Sequence, residues 1–249
     1  MLNKLSYIEE NTEAKKVIIF LHLKNLSSWI WINQTNSFKN YHSIYIDLPS
    51  HGDSYFNTDF SISQTTETLK EFIKDLNKEE INLVGIGLGG QVAIEFISKY
   101  PDLINKTIIS SIECVSNFKC DYFNVLNETK PILDSKKEGF LTLAYLRHYG
   151  LPKEFYSDIF KDCENPNYDN LKKISYESMN YSLPKTIKDK NKEIMILYGE
   201  YDSIWVKKSS KEIKNKFNNS KILEIKGATQ LWNIRKYKMF NKIVSTYLD

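Results

Sequence analysis

Uninterrupted apolar runs recur at six places along the chain: 16–22 (KVIIFLH), 42–48 (HSIYIDL), 81–87 (INLVGIG), 106–112 (KTIISSI), 193–199 (EIMILYG) and 221–226 (KILEIK). Runs without polar alternation are the mark of strands covered on both faces, as in a parallel sheet. Between most of them the pattern changes to a helical period. The stretch 65–76 puts Leu69, Phe72, Ile73 and Leu76 on one face. The stretch 88–100 carries Val92, Phe96 and Tyr100 at helical spacing and stops before Pro101, a residue that disfavours helix in its predecessor. Helices at 209–217 and 235–248 close the chain. The alternation predicts an α/β fold, a mostly parallel doubly wound sheet with right-handed crossovers.

One segment breaks this rhythm. From 115 to 192 there is no strand pattern, but several aromatic-rich helical stretches punctuated at 150–152, 165–166 and Pro184. The expectation is a helical cap at 115–192 inserted into a core made of 1–114 and 193–249, the whole forming one structural unit. A chain of 249 residues with 41% hydrophobic residues can bury one sizeable core.

Charge and cysteine usage narrow the partners. The formal net charge is +3, and the basic residues are 32 lysines and two arginines, Arg147 and Arg235. So small an imbalance gives no electrostatic footprint for nucleic acid. Cys114, Cys120 and Cys163 are an odd number without paired spacing, which argues against a disulfide framework. No CxxC or histidine-rich tract suggests a structural zinc, so neither metal nor cofactor is expected. The first ten residues are polar and carry early acidic residues, unlike a signal peptide. No apolar run reaches the ~20 residues that span a bilayer. The expectation is a cytoplasmic protein without a membrane partner.

Five segments, in order, resemble the α/β-hydrolase family. Residues 20–31 (FLHLKNLSSWIW) resemble the strand-plus-loop segment "LLHG…W" that supplies an oxyanion donor. Residues 47–54 (DLPSHGDS) resemble the "DxPGHGxS" loop. Residues 85–90 (GIGLGG) resemble the nucleophile elbow "GxSxGG", and 199–202 (GEYD) the turn bearing the triad acid. Residues 226–233 (KGATQLWN) resemble the loop bearing the triad histidine. The resemblance spans nearly the whole chain and implies the α/β-hydrolase fold with an inserted cap.

The chain departs from the family pattern at the chemistry. The nucleophile position is Gly87, the histidine position is Gln230, and the oxyanion loop reads His22–Leu23 where the family has His–Gly. Of the triad only Asp202 is present, as a residual acid or as a turn residue bonded to local backbone or to Gln230. Acyl transfer requires a nucleophile with a base in hydrogen-bond reach. Glycine has no side chain to attack with, and an amide is not a useful base at neutral pH. Ordinary serine-hydrolase activity is therefore not expected. The backbone part of the site survives the substitutions: the Leu88 N–H at a helix start, with a second donor near Leu23, is suited to a small-molecule carbonyl or carboxylate ligand. Glycine at 87 is expected to leave extra room there.

Further candidates surround this site. Trp29 and Trp232 are expected as its walls, and Asp202 and Gln230 as its polar side. Glu113, just past the strand at 106–112, is a fallback acid, in a place where some family relatives carry a catalytic acid. His22 and His51 fall on structural histidine positions of the family, and Cys114 reads as a small buried hydrophobe. The cap tyrosines (Tyr122, Tyr145, Tyr149, Tyr156, Tyr176 and Tyr181) are candidate proton-transfer groups. Three functions follow: a non-hydrolytic small-molecule-binding or accessory protein; an atypical lyase, cyclase or decarboxylase acting on a carbonyl substrate; or a hydrolase inactivated by mutation.

Overall fold

The structure is a computed structural model and describes residues 5–54, 60–115, 151–164 and 168–249. Seven strands form one sheet: β1 (Tyr7–Glu10), β2 (Lys16–Leu21), β3 (Tyr41–Ile46), β4 (Glu80–Ile86), β5 (Thr107–Ser110), β6 (Ile194–Gly199) and β7 (Ser220–Ile225). Their order is β1-β3-β2-β4-β5-β6-β7. Only β1 runs antiparallel to its neighbour, and the other pairs are parallel. Helix α1 (Ile62–Asp75) connects β3 to β4, and α2 (Leu88–Lys99) connects β4 to β5. Two helices, α3 (Tyr156–Glu164) and α4 (Tyr168–Met179), lie between β5 and β6. Helix α5 (Ile204–Lys216) connects β6 to β7, and the chain ends on a short α6 (Trp232–Arg235) and α7 (Tyr237–Leu248). The fold is the expected α/β-hydrolase architecture.

The core has two layers because the strand period is two. On β2, Val17, Ile19 and Leu21 pack with α1 and α2, whereas Ile18 and Phe20 pack with Trp31, Tyr45 and Phe240 on the other face. Every one of these β2 side chains is fully buried. Helix α2 is buried nearly all round, as a central helix must be. It sits so close to the sheet that an added Cβ on Gly89 would lie 2.1 Å from the Leu21 carbonyl oxygen.

Several boundaries differ from the expectations. Strand β1 was not anticipated, because its YIEE sequence is short and half acidic. It is an edge strand, where one exposed face tolerates such residues, and Ile8 is 57% exposed. Strand β5 ends at Ser110, two residues early, because Ser111 has φ +52°. Helix α5 starts at Ile204 rather than 209, since the Ser203 hydroxyl accepts from Val206 N–H and caps it. The terminal helix begins at Tyr237 after a break at Lys236. Within 115–192 the described residues include α3 and α4, while 116–150 and 165–167 lie outside the described residues. Among the described residues no helix is long and apolar enough to cross a membrane.

Candidate functional site

The loops that follow β2, β4, β5 and β6 converge at the carboxyl ends of the parallel strands, the usual place for ligands in open α/β sheets. At the end of β4 the chain turns sharply into α2 at Gly87, with φ +53° and ψ −114°. Non-glycine residues rarely adopt this conformation. The turn is tied on two sides: Gly87 N–H donates to the Ser110 carbonyl (3.0 Å), and Gly89 N–H to the His22 carbonyl (3.0 Å). This is the elbow expected from GIGLGG.

The space beside it is not open. A Cβ built on Gly87 would lie 2.2 Å from Leu23 Cδ1 and 3.2 Å from Gln230 Nε2. Leu23, 2% exposed, fills the place a nucleophile's side chain would take. The expectation of extra room at Gly87 is therefore corrected: the leucine that replaces the loop glycine packs into it. Leu88 is buried beside it at the start of α2.

Asp202 accepts two hydrogen bonds, from the Ser111 hydroxyl (2.7 Å) and from Gly199 N–H (2.7 Å). Burial raises its pKa, opposed by these same two bonds. Gln230 Nε2 donates weakly to the Ser111 carbonyl at 3.5 Å. Of the two partners expected for Asp202 as a turn residue, local backbone or Gln230, the structure shows the local backbone, Gly199 N–H; Gln230 is reached only through Ser111, which contacts both residues and which the sequence reading missed. Its only sequence signal was a pair of serines ending an apolar strand.

The remaining candidates are dispersed. Trp232 is 1% exposed, donates its indole N–H to Ser110 Oγ (2.9 Å) and packs edge-on against Phe240, so it is chiefly a core residue. Trp29 stacks on Phe155 and donates to Asp162 Oδ2 of α3 at 2.6 Å. It lines a separate cleft whose walls include none of Leu23, Gly87, Leu88, Asp202 and Gln230. Glu113 is exposed, and its carboxylate accepts from the Ser203 hydroxyl (2.6 Å). Cys114 is buried and its thiol is pushed up to about 11, chiefly by burial, which disfavours the thiolate. Tyr181 has a buried hydroxyl, Tyr156 is half-buried and Tyr176 is exposed. Tyr122, Tyr145 and Tyr149 lie outside the described residues.

His22 and His51 are held as neutral rings. His22 Nε2 accepts from Leu48 N–H (2.9 Å), so its Nδ1–H donates to the Leu23 carbonyl (2.7 Å). His51 donates from Nδ1 to the Pro49 carbonyl (2.9 Å). Burial lowers His22 to about 4 and His51 to about 3. Among the described residues no group of three or more His, Cys, Asp or Glu is placed to hold a metal ion.

With this geometry in view, a family model described as the alpha/beta hydrolase fold matches residues 16–230. The chain belongs to that family. It is 22% identical over 211 residues to the monoacylglycerol lipase ABHD6 of Homo sapiens, covering 76% of this chain and 62% of that protein. It is 26% identical over 125 residues to epoxide hydrolase 1 of Caenorhabditis elegans, covering 47% and 30% respectively. The chain therefore spans less than two thirds of the length of either relative. Among solved structures, a marine microorganism esterase superposes with a TM-score of 0.78 at 23% identity, covering 98% of both chains. MenH from S. aureus superposes with a TM-score of 0.75 at 21% identity, covering 98% of this chain and 97% of that one. These likenesses bear on the fold, and fold alone does not assign a reaction.

Proposed function

We propose that this chain is a non-hydrolytic member of its family, a small-molecule-binding or accessory protein with a degenerate triad. The observation that carries the reading is the packing of Leu23 against Gly87: the nucleophile is absent and its place is filled by hydrocarbon. Gln230, where a base would stand, offers an amide. Loss of a triad nucleophile or base removes several orders of magnitude in rate, leaving what binding and the oxyanion donors supply. The ligand class is a carbonyl or carboxylate compound at the Leu88 N–H, where the helix N-terminus favours negative charge, and its entry requires the Leu23 side chain to turn aside. The test is hydrolysis of nitrophenyl acetate and butyrate. Negligible turnover is expected. Turnover near ~10 per second, abolished by substituting a residue at the elbow, would overturn the reading.

A second reading, an atypical lyase, cyclase or decarboxylase, has one specific observation in its favour. Asp202 is largely buried, its pKa is raised by that burial, and it shares a 2.7 Å hydrogen bond with the Ser111 hydroxyl, a pair able to hold or move a proton. A relative in Escherichia coli with 32% identity over 77 residues, 31% of each protein, carries a synthase name rather than a hydrolase name: 2-succinyl-6-hydroxy-2,4-cyclohexadiene-1-carboxylate synthase. Conversion of a carbonyl substrate that is lost in Asp202→Asn and Ser111→Ala alike would favour this second reading over the first.

A further inference from the structure

The segment 227–248 holds four cations, Arg235, Lys236, Lys238 and Lys242, and no aspartate or glutamate. The formal net charge of the chain is +3, so these four account for more than all of it. Among the described residues none of the four forms an ion pair. Arg235, Lys238 and Lys242 are exposed, and Lys236 is half-buried.

The cations fall in two adjoining pairs. Helix α7 turns Phe240, Val244, Tyr247 and Leu248 into the core, which leaves Lys238 and Lys242 one turn apart on its outer side with Met239 beside them. Arg235 and Lys236, at the break between α6 and α7, line a cleft with Gly227, Ala228, Thr229 and Trp232. A Cβ on Gly227 would lie 3.3 Å from Lys236 Nζ, so the ammonium stands over that glycine. The cleft has a volume of about 240 Å³, whereas a water needs only ~15 Å³ of such space, so a phosphate group fits. One carboxylate borders it, Glu200, which is engaged by Gly227 N–H (2.8 Å) and by Lys226 (3.8 Å). Large apolar side chains are exposed among the cations. Tyr237 is 38% and Met239 48% exposed, and Lys238 Nζ lies 5.9 Å from the centroid of the Tyr237 ring. Tyr201, 70% exposed, is tied to the cleft wall by its N–H on the Ala228 carbonyl (2.9 Å).

We infer that this surface docks on an anionic phospholipid membrane, with lipid phosphates at Arg235 and Lys236, the cations of α7 over neighbouring headgroups, and Tyr237 and Met239 entering the interface. Charge complementarity gives the sign of the partner: four cations without carboxylate partners are attracted to an anionic surface. The exposed apolar groups give its class. A soluble polyanion offers little hydrocarbon to Met239, whereas a lipid interface takes apolar side chains out of water beside headgroups that lysines reach. A tyrosine at such a boundary buries its ring and keeps its hydroxyl wet. Docking of this kind needs no spanning helix. The surface stands independently of the reading of the elbow.

The experiment is sedimentation of the full chain with vesicles of phosphatidylcholine alone, and of phosphatidylcholine with one third phosphatidylglycerol. Co-sedimentation is expected with the anionic vesicles only. It should weaken when a low-salt buffer is raised about tenfold in salt, because screening shortens the reach of exposed charges. Arg235→Gln with Lys236→Gln should weaken vesicle partitioning at least about tenfold. Tyr237→Ser with Met239→Ser removes hydrocarbon and no charge, and should weaken it at least about fivefold. That apolar variant should bind heparin, a soluble polyanion, as the parent does. Every substituted side chain is exposed or half-buried, so both variants should keep the parent's melting temperature. Absence of co-sedimentation with anionic vesicles, equal co-sedimentation with phosphatidylcholine alone, or parent-like partitioning of the charge variant would each overturn the proposal. Parent-like partitioning of the apolar variant would overturn it in favour of a soluble polyanion. Displacement by glycerol phosphate at a concentration matched to the lipid would overturn it in favour of a free phosphate compound.

Discussion

At the scale of single residues, the chemistry of the elbow is governed by two side chains, one absent and one filling its place. Restoring serine alone should fail for a steric reason. In Gly87→Ser the new Cβ meets Leu23 Cδ1 at 2.2 Å, on a backbone with φ +53°. That conformation alone costs on the order of 1–3 kcal/mol for a non-glycine residue, so the single variant should melt earlier and hydrolyse no nitrophenyl acetate. Adding Leu23→Gly clears the space, and Gln230→His places a base where Nε2 already stands 3.2 Å from that Cβ. Ester hydrolysis should emerge only in the triple variant; activity in Gly87→Ser by itself would show that Leu23 yields easily and that the site was merely lacking a hydroxyl. The two buried histidines give a second prediction. Both pKa values are depressed from 6.5, His22 to about 4 and His51 to about 3, so their neutral rings favour the folded state above pH 6.5, and this contribution is lost as pH falls from there through about 4. Thermal melts at pH 7 and pH 5 check it: the double variant His22→Gln, His51→Gln should lose less Tm over that interval than the parent chain. Gly87, Asp202 and Gln230 were legible from the order of the family motifs. Ser111 and the packing of Leu23 were not, because loops distant in sequence meet there only once the sheet has assembled.

At the scale of elements, the sequence carried most of the sheet because burial on both faces writes a continuous apolar run. All six anticipated strands are present; five have interior positions, and the sixth, β7, is an edge strand that keeps an apolar signal although Ile222 and Leu223 are exposed. The unanticipated β1 shows the converse: at a sheet edge, half-exposed residues such as Glu9 and Glu10 satisfy the ladder without an apolar signal. The late placement of α5 has a different cause, since its lysines mask the apolar face while Ser203 sets its true start. The glycines of the elbow segment are legible in hindsight as a packing device. Gly85 faces the backbone of Gly89 and Gly90, and Gly89 faces Leu21, so α2 lies directly on β2 and β4. Gly89→Ala should therefore be overpacked: its Cβ would sit 2.1 Å from a backbone oxygen that cannot rotate away. The expected loss is about 1–3 kcal/mol, read as a lower midpoint in urea with an unchanged slope. A wild-type midpoint would mean that α2 is free to slide on the sheet.

At the scale of the whole molecule, α3 and α4 join the core through Ile159, Leu171 and Ile174 and add polar contacts to neighbouring elements, one of which titrates in the neutral range. Trp29 Nε1 donates to Asp162 Oδ2, Ile62 N–H to Glu177 Oε2 (3.2 Å), and Gln91 Nε2 to the carbonyls of Glu113 (2.8 Å) and Ser178 (2.9 Å). The sequence marked this region as helical but not how it docks, since the contacts join single polar residues across 115 positions or more in the first two cases. The raised pKa of Asp162, about 7, means that its folded-state contribution is fully present below the ordinary carboxylate value near 4 and is lost as pH rises through about 7. The sign is opposite to that of the histidines. Charging Asp162 takes place against Asp47 and in a desolvated position, so the weakened element is α3 and not the sheet. Hydrogen exchange at pH 5 and pH 8, corrected for the intrinsic rate, separates the two. Amides of α3 should lose protection relative to those of β2 and β4 on going to pH 8, because local opening takes the least-anchored element first. Asp162→Asn should remove that difference, its amide remaining neutral at both values. Equal loss across α3 and the central strands would assign the pH response to global unfolding, and an α3 insensitive to pH would place the titration of Asp162 outside the neutral range.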